Sequence, residues 1–505
     1  MMALMGRVAA YVRMHGGLYT LRRAVEMLQE HMLHTYHRRY LQERASDAEL
    51  AAQRENQPDA GLISVAIPVY NTRPAFLKAL TDSLLAQTYK CWEAVFYDGG
   101  STSAESLAAM DAMPADPRIR VIHGTVNAGI AGNTNLAVEA CSGGYIALCD
   151  HDDVLAPEAL WYTAQTILQK HPDMLYSDED KLTEDGRVHT DPHQKPDFCP
   201  DNLRSGNYIC HLMVVKKSLL KELGGLRPAF DGSQDHDLAL RISEKTKKIC
   251  HVPRVLYHWR TVGSSVSHQH LARCQDAAAR AVTEHMSRIG CPGCCTVEDG
   301  VLRLRYAVNE KLTVHTIRVS GRERYQQMNR AAEAAAADVL LFADESVMDI
   351  SDDLIGEMMM YAQRDDVGAV TPMLTDRSGR VSHAGFAVGG SSCAVCRNRG
   401  LPWHAGGWHG LNRTSHNVAA VSAACFMIRR DHFIPFDEQY TDGLGAVDWC
   451  LRLSQSGLHH VYTPHARAVC TCSDLLSKWS EQQRFLSRWA DTIDPCVGKS
   501  APNNP

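Results

Sequence analysis

The chain has 505 residues, of which 45% are hydrophobic and 22% charged, with a formal net charge of −6. That length predicts two or three domains, and the mild negative charge supplies no basic footprint for nucleic acid. The 17 cysteines are scattered over a long chain, so a secreted disulfide framework is not expected and the setting predicted is reducing and cytoplasmic.

No apolar run reaches the roughly 18 residues of a membrane span, and the N-terminus lacks the short apolar core of a signal peptide. Residues 1 to about 60 read as a helical arm. Leu18, Leu21, Val25, Leu28 and Met32 recur at helical spacing, and Arg7, Arg13, Arg22, Arg23, Arg38, Arg39 and Arg44 make the arm basic. Such a helix packs on its own protein or a subunit, or lies peripherally on an anionic membrane face.

A strand is predicted from Leu62 to Val69, turning at Pro68-Val69-Tyr70-Asn71 into a helix whose apolar face is Phe76, Leu77, Leu80, Leu84 and Leu85. A second strand, Trp92 to Tyr97, ends in Asp98-Gly99-Gly100-Ser101-Thr102. Glycines and an acid after a strand fit nucleoside recognition, because the carboxylate accepts from base or ribose while the backbone approaches closely. The alternative is a plain βα turn with a Ser or Thr cap. A helix, a strand near Arg118 to Ile122 and a helix carrying Asn135 follow.

The next strand, Tyr145-Ile146-Ala147-Leu148-Cys149, runs into Asp150-His151-Asp152-Asp153. This succession of strands and helices predicts a doubly wound α/β sheet, with acids at the carboxyl end of its fourth strand, where ligands bind. Asp150 and Asp152 are two apart, so in an extended segment both leave on one side. Paired carboxylates there suit Mg²⁺ or Mn²⁺ holding a diphosphate. The bland alternative is an acidic loop capping the following helix.

Downstream, Tyr176-Ser177-Asp178-Glu179-Asp180-Lys181 leads into a Pro- and Asp-rich stretch to Pro200. It is long for a structureless loop, which suggests that it shapes a site. Gly232-Ser233-Gln234-Asp235-His236-Asp237 then opens a helix. Asp235 reads as a general base at a helix N-terminus or, with Asp237, as a charge on the first turn, and local sequence favours the second. His258, in Tyr257-His258-Trp259-Arg260, reads as a metal ligand or as a structural histidine.

In this order and at these separations, Pro68-Val69-Tyr70-Asn71, Asp98 with Gly100-Ser101, Asp150-His151-Asp152-Asp153, Gln234-Asp235-His236-Asp237 and Tyr257-His258-Trp259-Arg260 resemble the motifs of family 2 glycosyltransferases. The resemblance covers about residues 61 to 270. It implies a GT-A fold, a nucleotide-sugar donor and inversion at the anomeric carbon. It assigns Pro68, Tyr70, Asp98 and Asp150 to nucleotide-sugar binding, Asp152 and His258 to the metal (Mn²⁺ or Mg²⁺), and Asp235 to the base. One departure is visible: Gly99 stands where the family often has a second acid.

The C-terminal half repeats the pattern in part. Asn135 precedes Asp150 by 15 positions, as Asn329 precedes Asp344. Asp237 and Arg241 are four apart, as are Asp448 and Arg452, and Pro253 and Pro464 each lie 12 beyond their arginine. The chemistry does not repeat: the acids become Asp344-Glu345-Ser346, Asp235 falls opposite Ala446, and His258 opposite Val469. The region before Asn329 is too short for a nucleotide-binding half. The expected layout is a basic helical arm at 1–60, a catalytic GT-A domain at 61–270, a connector at 271–310, a degenerate GT-A-like module at 311–472 and a tail at 473–505.

Trp403, His404, Trp408 and His409 read as packing or loop residues, with a sugar-stacking surface as the functional alternative. Cys291-Pro-Gly-Cys294-Cys295 and Cys393-Ala-Val-Cys396 read as reduced thiols rather than a shared zinc site. The function expected is sugar transfer to a glycan or lipid-linked glycan in rhamnan-like or O-antigen-like surface-polysaccharide assembly, without nucleic acid. Two rivals are a phosphatase or phosphomutase using Asp150 and a non-catalytic glycan-binding scaffold.

Overall fold

The computed structural model describes residues 35–262, 271–389, 393–471 and 479–492. The apolar positions Leu18 to Met32 of the basic arm lie outside them. The described residues fall into two units, 35–290 with 295–302, and 291–294 with 303–492.

The first unit is built on one mixed sheet of nine strands. They are β1 (Ile63–Val69), β2 (Trp92–Asp98), β3 (Ile119–His123), β4 (Tyr145–Leu148), β5 (Val154–Leu155), β6 (Met174–Leu182), β7 (His189–His193), β8 (Met213–Lys216) and β9 (Ile249–Arg260). Their order is β3-β2-β1-β4-β8-β6-β9-β5, with β7 on the side of β6. The first four are parallel, as the alternation of strands and helices predicts. Beyond β4 the sheet is mixed: β8 lies antiparallel between β4 and β6.

Ile63, Val65, Ile67 and Val69 of β1 are fully buried, and Leu77, Leu80 and Leu84 of helix Pro74–Leu85 cover them. Strands covered on both faces read as continuous apolar runs, which is why β1 and β4 were legible. Within this unit helix Thr35–Glu43 is tied down by Tyr36, whose hydroxyl donates to Asp180 Oδ2 at 2.9 Å. Helix Asp47–Glu55 follows through a capping box of Ser46 and Glu49.

A ribbon of β10 (Gly293–Glu298) and β11 (Val301–Tyr306) comes next in the chain. The second unit then contributes β12 (Val314–Val319), β13 (Val339–Asp344), β14 (Val347–Met348), β15 (Val367–Thr375), β16 (Val381–His383), β17 (Phe386–Val388), β18 (Ala394–Cys396), β19 (His416–Val418), β20 (Cys425–Arg429) and β21 (His459–Cys470). Its main sheet runs β12-β13-β20-β15-β21-β14, with β16 beside β15 and β19 beside β21.

That order repeats β1-β4-β8-β6-β9-β5 strand for strand, including which pairs are parallel and which antiparallel. The equivalents of β2 and β3 are missing from it, so the half that would carry an Asp98 counterpart is absent among the described residues. Register also adjusts one pairing. Cys470 faces Val347, the first residue of β14, as His258 faces Val154, the first residue of β5. The core of this unit is aromatic, with Phe436 stacked on Trp449 at 4.4 Å and Phe342 on Phe426 at 5.0 Å.

Both C-x-x-C pairs are free thiols; Cys470, which belongs to neither, is disulfide-bonded. Among the described residues no helix is long and apolar enough to cross a membrane.

Candidate functional site

The ends of β1 and β2 lie side by side, with Pro68 paired to Tyr97 and Val69 to Asp98. Asn71, at φ 49°, turns back so that its Oδ1 accepts from Thr102 N at 2.8 Å and Ser103 N at 2.9 Å. The two loops are thereby locked together. Asp98 is 1% exposed and accepts from Ser101 N at 2.9 Å, while its other oxygen meets His123 Nδ1 at 3.2 Å. Tyr70 stays 41% exposed beside it, open to a ligand. Position 99 has no room for an acid, because a Cβ there would lie 2.3 Å from Asn133 Nδ2.

Beyond β4 the three acids take different roles. Asp153 is fully buried and satisfied: Tyr257 OH donates to it at 2.5 Å and Arg260 N at 2.7 Å. Asp150 is half-open, its N–H donating to Tyr257 OH at 3.1 Å and its Oδ2 lying 3.5 Å from His211 Nε2. Arg260 Nε donates to the Asp152 carbonyl at 2.7 Å, which leaves the Asp152 carboxylate partly exposed beside His151.

The protein packed around it, with the charges of Asp152 and Asp235 added, raises the Asp150 carboxyl although half of its surface is open, against the pull of His211 and His151. Burial and the Asp152 and Asp150 charges push Asp153 well above the carboxylate range. Crowded acids of this kind are stabilised by a cation between them. Asp150, Asp153 and His211 offer ligand atoms within 4.8 Å of one another, a group that does not include Asp152. The buried Nδ1 atoms of His151 and His211 have no hydrogen-bond partner. Carboxylate oxygens with one imidazole suit Mn²⁺ or Mg²⁺, so the residues fit a divalent ion.

Asp235 stands on the first turn of helix Gln234–Lys245, close enough for its charge to act on Asp150. Its Oδ2 accepts from Asn207 Nδ2 at 2.7 Å and its Oδ1 from His236 N at 2.9 Å. Asp237 faces away into a buried pair, accepting from Arg241 Nε at 2.9 Å and Arg227 Nε at 3.1 Å. The two acids of the motif therefore divide: Asp237 staples the fold and Asp235 faces the site.

His258 is brought to a different cluster. Its Nδ1 meets Asp180 Oδ1 at 2.7 Å and its Nε2 meets Tyr40 OH at 3.0 Å. His189 Nδ1 joins Asp180 Oδ2 at 3.0 Å. Burial alone would raise Asp180, but the charges and hydrogen bonds of His258 and His189 hold it below its ordinary value. This group also offers three ligand atoms within 4.8 Å of one another, although both His258 nitrogens already have protein partners. Neighbours in a strand face opposite sides of the sheet, so Tyr257 goes with the Asp150 group and His258 with Asp180.

Sequence reasoning missed His211, Asn207 and Tyr257. Asn207 and His211 bracket Tyr208, Ile209 and Cys210, the start of an apolar run with no site pattern of its own. Only their place after an over-long Pro- and Asp-rich loop signalled a site.

The arrangement is a parallel half-sheet with acids gathered at its carboxyl edge. Residues 64–224 match the model of glycosyl transferase family 2. The chain is 32% identical to the uncharacterized protein y4gI of Sinorhizobium fredii, over 83% of this chain and 54% of that protein. It is 30% identical to the O-antigen biosynthesis protein RfbC of Myxococcus xanthus, over 81% of this chain and 37% of that protein. A chondroitin synthase of Escherichia coli is 25% identical over 45% of this chain and 33% of its own. The chain thus spans about half or less of the length of these curated relatives. Among solved structures, S. aureus TarS 1-349 in complex with UDP aligns at a TM-score of 0.34 and 20% identity, over 45% of this chain and 72% of that one.

Proposed function

We propose that the first unit is an inverting glycosyltransferase that moves a sugar from a nucleotide-sugar donor to a glycan or lipid-linked glycan in surface-polysaccharide assembly. The observation that carries the reading is half-open Asp150 beside His211, under the charges of Asp152 and Asp235, at the carboxyl edge of the parallel half-sheet. The likeness to an O-antigen biosynthesis protein supports the substrate class. On this reading residues 61–270 are the catalytic module and 311–472 a second module that binds acceptor glycan or a partner.

Pro68, Tyr70 and Asp98 line the nucleoside pocket. Asp150 and Asp152, with His211 at hand, would hold Mn²⁺ or Mg²⁺, which when bound would supply positive charge to a departing diphosphate. His258 acts from the neighbouring cluster by fixing the strand that carries Tyr257. Asp235 takes the proton of the acceptor hydroxyl. That oxygen bonds to the anomeric carbon from the face opposite the leaving phosphate oxygen, so one bond forms as the other breaks and configuration inverts. The acids' position on a fourth strand, facing a second carboxylate on a helix, weighs against the phosphomutase alternative. The basic arm packs on the protein or a subunit, or holds the enzyme peripherally on an anionic membrane face.

The test is thermal stabilisation of the full chain by UDP, GDP, dTDP and CDP and their sugars, with and without Mn²⁺. A ligand bound by the native state alone raises Tm. A metal-dependent shift with one nucleotide, lost in Asp152→Ala, supports the transferase. No shift with any of them moves the first unit to the binding-scaffold alternative.

A further inference from the structure

Lys195 is an ammonium with no exposed side-chain surface. Its Nζ donates to the carbonyl of Ile209 at 2.6 Å, to the carbonyl of His211, and to Glu179 Oε2 at 3.2 Å. Three donors meet three acceptors, so the group is saturated. Glu179 closes the grip from the other side, since the same Oε2 accepts from His211 N at 3.0 Å. Between the two held residues Cys210 sits at φ 37°, a left-handed conformation that costs about 1 kcal/mol or more for a side chain with a Cβ. Such a backbone persists only when its surroundings over-determine it.

The two ends of this short segment are the site's own groups. Asn207 accepts from Cys210 N at 3.3 Å and donates to Asp235 at 2.7 Å. His211 stacks on Tyr257 with ring centroids 4.6 Å apart and lies 3.5 Å from Asp150. A buried ion pair is weak evidence for stability, because desolvation offsets the attraction and well-packed apolar residues serve as well. An apolar pair could not satisfy two carbonyls and one N–H of an irregular segment. The arrangement is therefore accounted for by what it holds in place.

We infer that Lys195, backed by Glu179, is a positioning residue: it clamps segment 207–211 so that His211 reaches the metal-binding acids while Asn207 orients Asp235. This rests on the transferase reading of the site. Neither residue touches the reacting atoms.

The experiment is Mn²⁺ binding by the full chain, read from the free Mn²⁺ resonance signal, for the wild type, Lys195→Met, His211→Ala and the double variant. Lys195→Met should melt cooperatively and bind Mn²⁺ roughly tenfold or more weakly, the scale of lost outer-shell support. The double variant should bind no more weakly than His211→Ala, since Lys195 acts through His211. A merely structural lysine would give losses that add, and additive losses overturn the proposal. So does an unchanged affinity in Lys195→Met while the wild type binds. A wild type that takes up no Mn²⁺ overturns the metal reading of the site and the clamp with it. Should Lys195→Met not fold, Glu179→Gln takes its place: it keeps the volume, removes the countercharge, and is held to the same outcomes.

Discussion

Asn207 donates to Asp235 Oδ2 at 2.7 Å, joining a loop to a helix across 28 positions of chain. The bond fixes one oxygen of the carboxylate and, with the His236 N–H on the other, sets the direction in which lone pairs remain. Asp235→Asn keeps the shape and removes the basicity. Its kcat is expected to fall about 10²- to 10⁴-fold, the usual contribution of a positioned general base. Donor binding should be unchanged in calorimetry. Asn207→Ala should cost less, about tenfold in kcat, with little change in KM; equal kcat in both variants would remove Asp235 from the base role.

Asp152→Ala tests the other acid. Its carboxylate is partly exposed and lacks the two donors that Asp153 holds, so it is free for a cation. The variant is expected to fold with unchanged Tm in the absence of metal and to lose the Mn²⁺-dependent part of nucleotide stabilisation. Asp153→Ala differs in kind. It strips Tyr257 OH and Arg260 N of their acceptor and should lower stability by about 1–3 kcal/mol. Urea denaturation in metal-free buffer separates the two.

The pH dependence of stability follows from two buried groups, an acid and a base, that both weaken the fold as pH falls but in different windows. In the first unit Glu179 is held at about 2 against an ordinary 4.5; burial alone would raise it, but the Lys195 ammonium and His193 win. Its folded value is depressed, so its stabilisation is complete above about 4.5 and is lost as pH falls towards 2. In the second unit burial lowers His460 to about 4 from 6.5. The unfolded state binds that proton first, so stability falls as pH drops from 6.5 towards 4 and is full above 6.5. Calorimetry between pH 7 and pH 5 should therefore show the second unit's transition moving down while the Glu179 contribution stays whole.

Much of this architecture was legible from spacing, but what the spacing meant was not. Asn135 and Asn329 were matched as marks of a repeat. In the structure each is a peg. Asn135 exchanges hydrogen bonds with the backbone of Leu226 at 2.8 and 2.9 Å, and Asn329 does the same with Phe436 at 3.1 and 2.8 Å. Asp237 with Arg241 and Asp448 with Arg452 are likewise the same staple, each with a 2.9 Å bond from Arg Nε. The repeat thus preserved the groups that hold the fold and not the acids that the resemblance assigns to metal and base, whose places Ser346 and Ala446 take. Asp344 is capped by its own Ser346, whose hydroxyl donates to it at 2.6 Å. The mixed half of the sheet was not legible, because β8 is short and its antiparallel partner depends on a loop whose course local pattern does not encode. His211 was hidden for the same reason. It reaches Asp150 through a left-handed turn that no periodicity announces.

Gly99 offers the last test, since it stands where the family often has an acid. A Cβ there meets Asn133 Nδ2 at 2.3 Å and Cγ at 2.8 Å. Asn133 is not idle: its Oδ1 accepts from Ala128 N at 3.1 Å and its Nδ2 donates to Asn127 Oδ1 at 2.9 Å, which shapes the turn before helix Gly129–Ala140. The glycine and the asparagine are therefore coupled. Gly99→Asp is expected to destabilise the chain by about 1–3 kcal/mol, the range for overpacking, without gaining nucleotide affinity. Asn133→Ala alone should cost about 1–2 kcal/mol for its lost hydrogen bonds. The double variant should cost less than the sum, because removing the asparagine side chain opens the space that the new carboxylate needs. Additive costs in urea denaturation would mean that Gly99 is set by something other than Asn133.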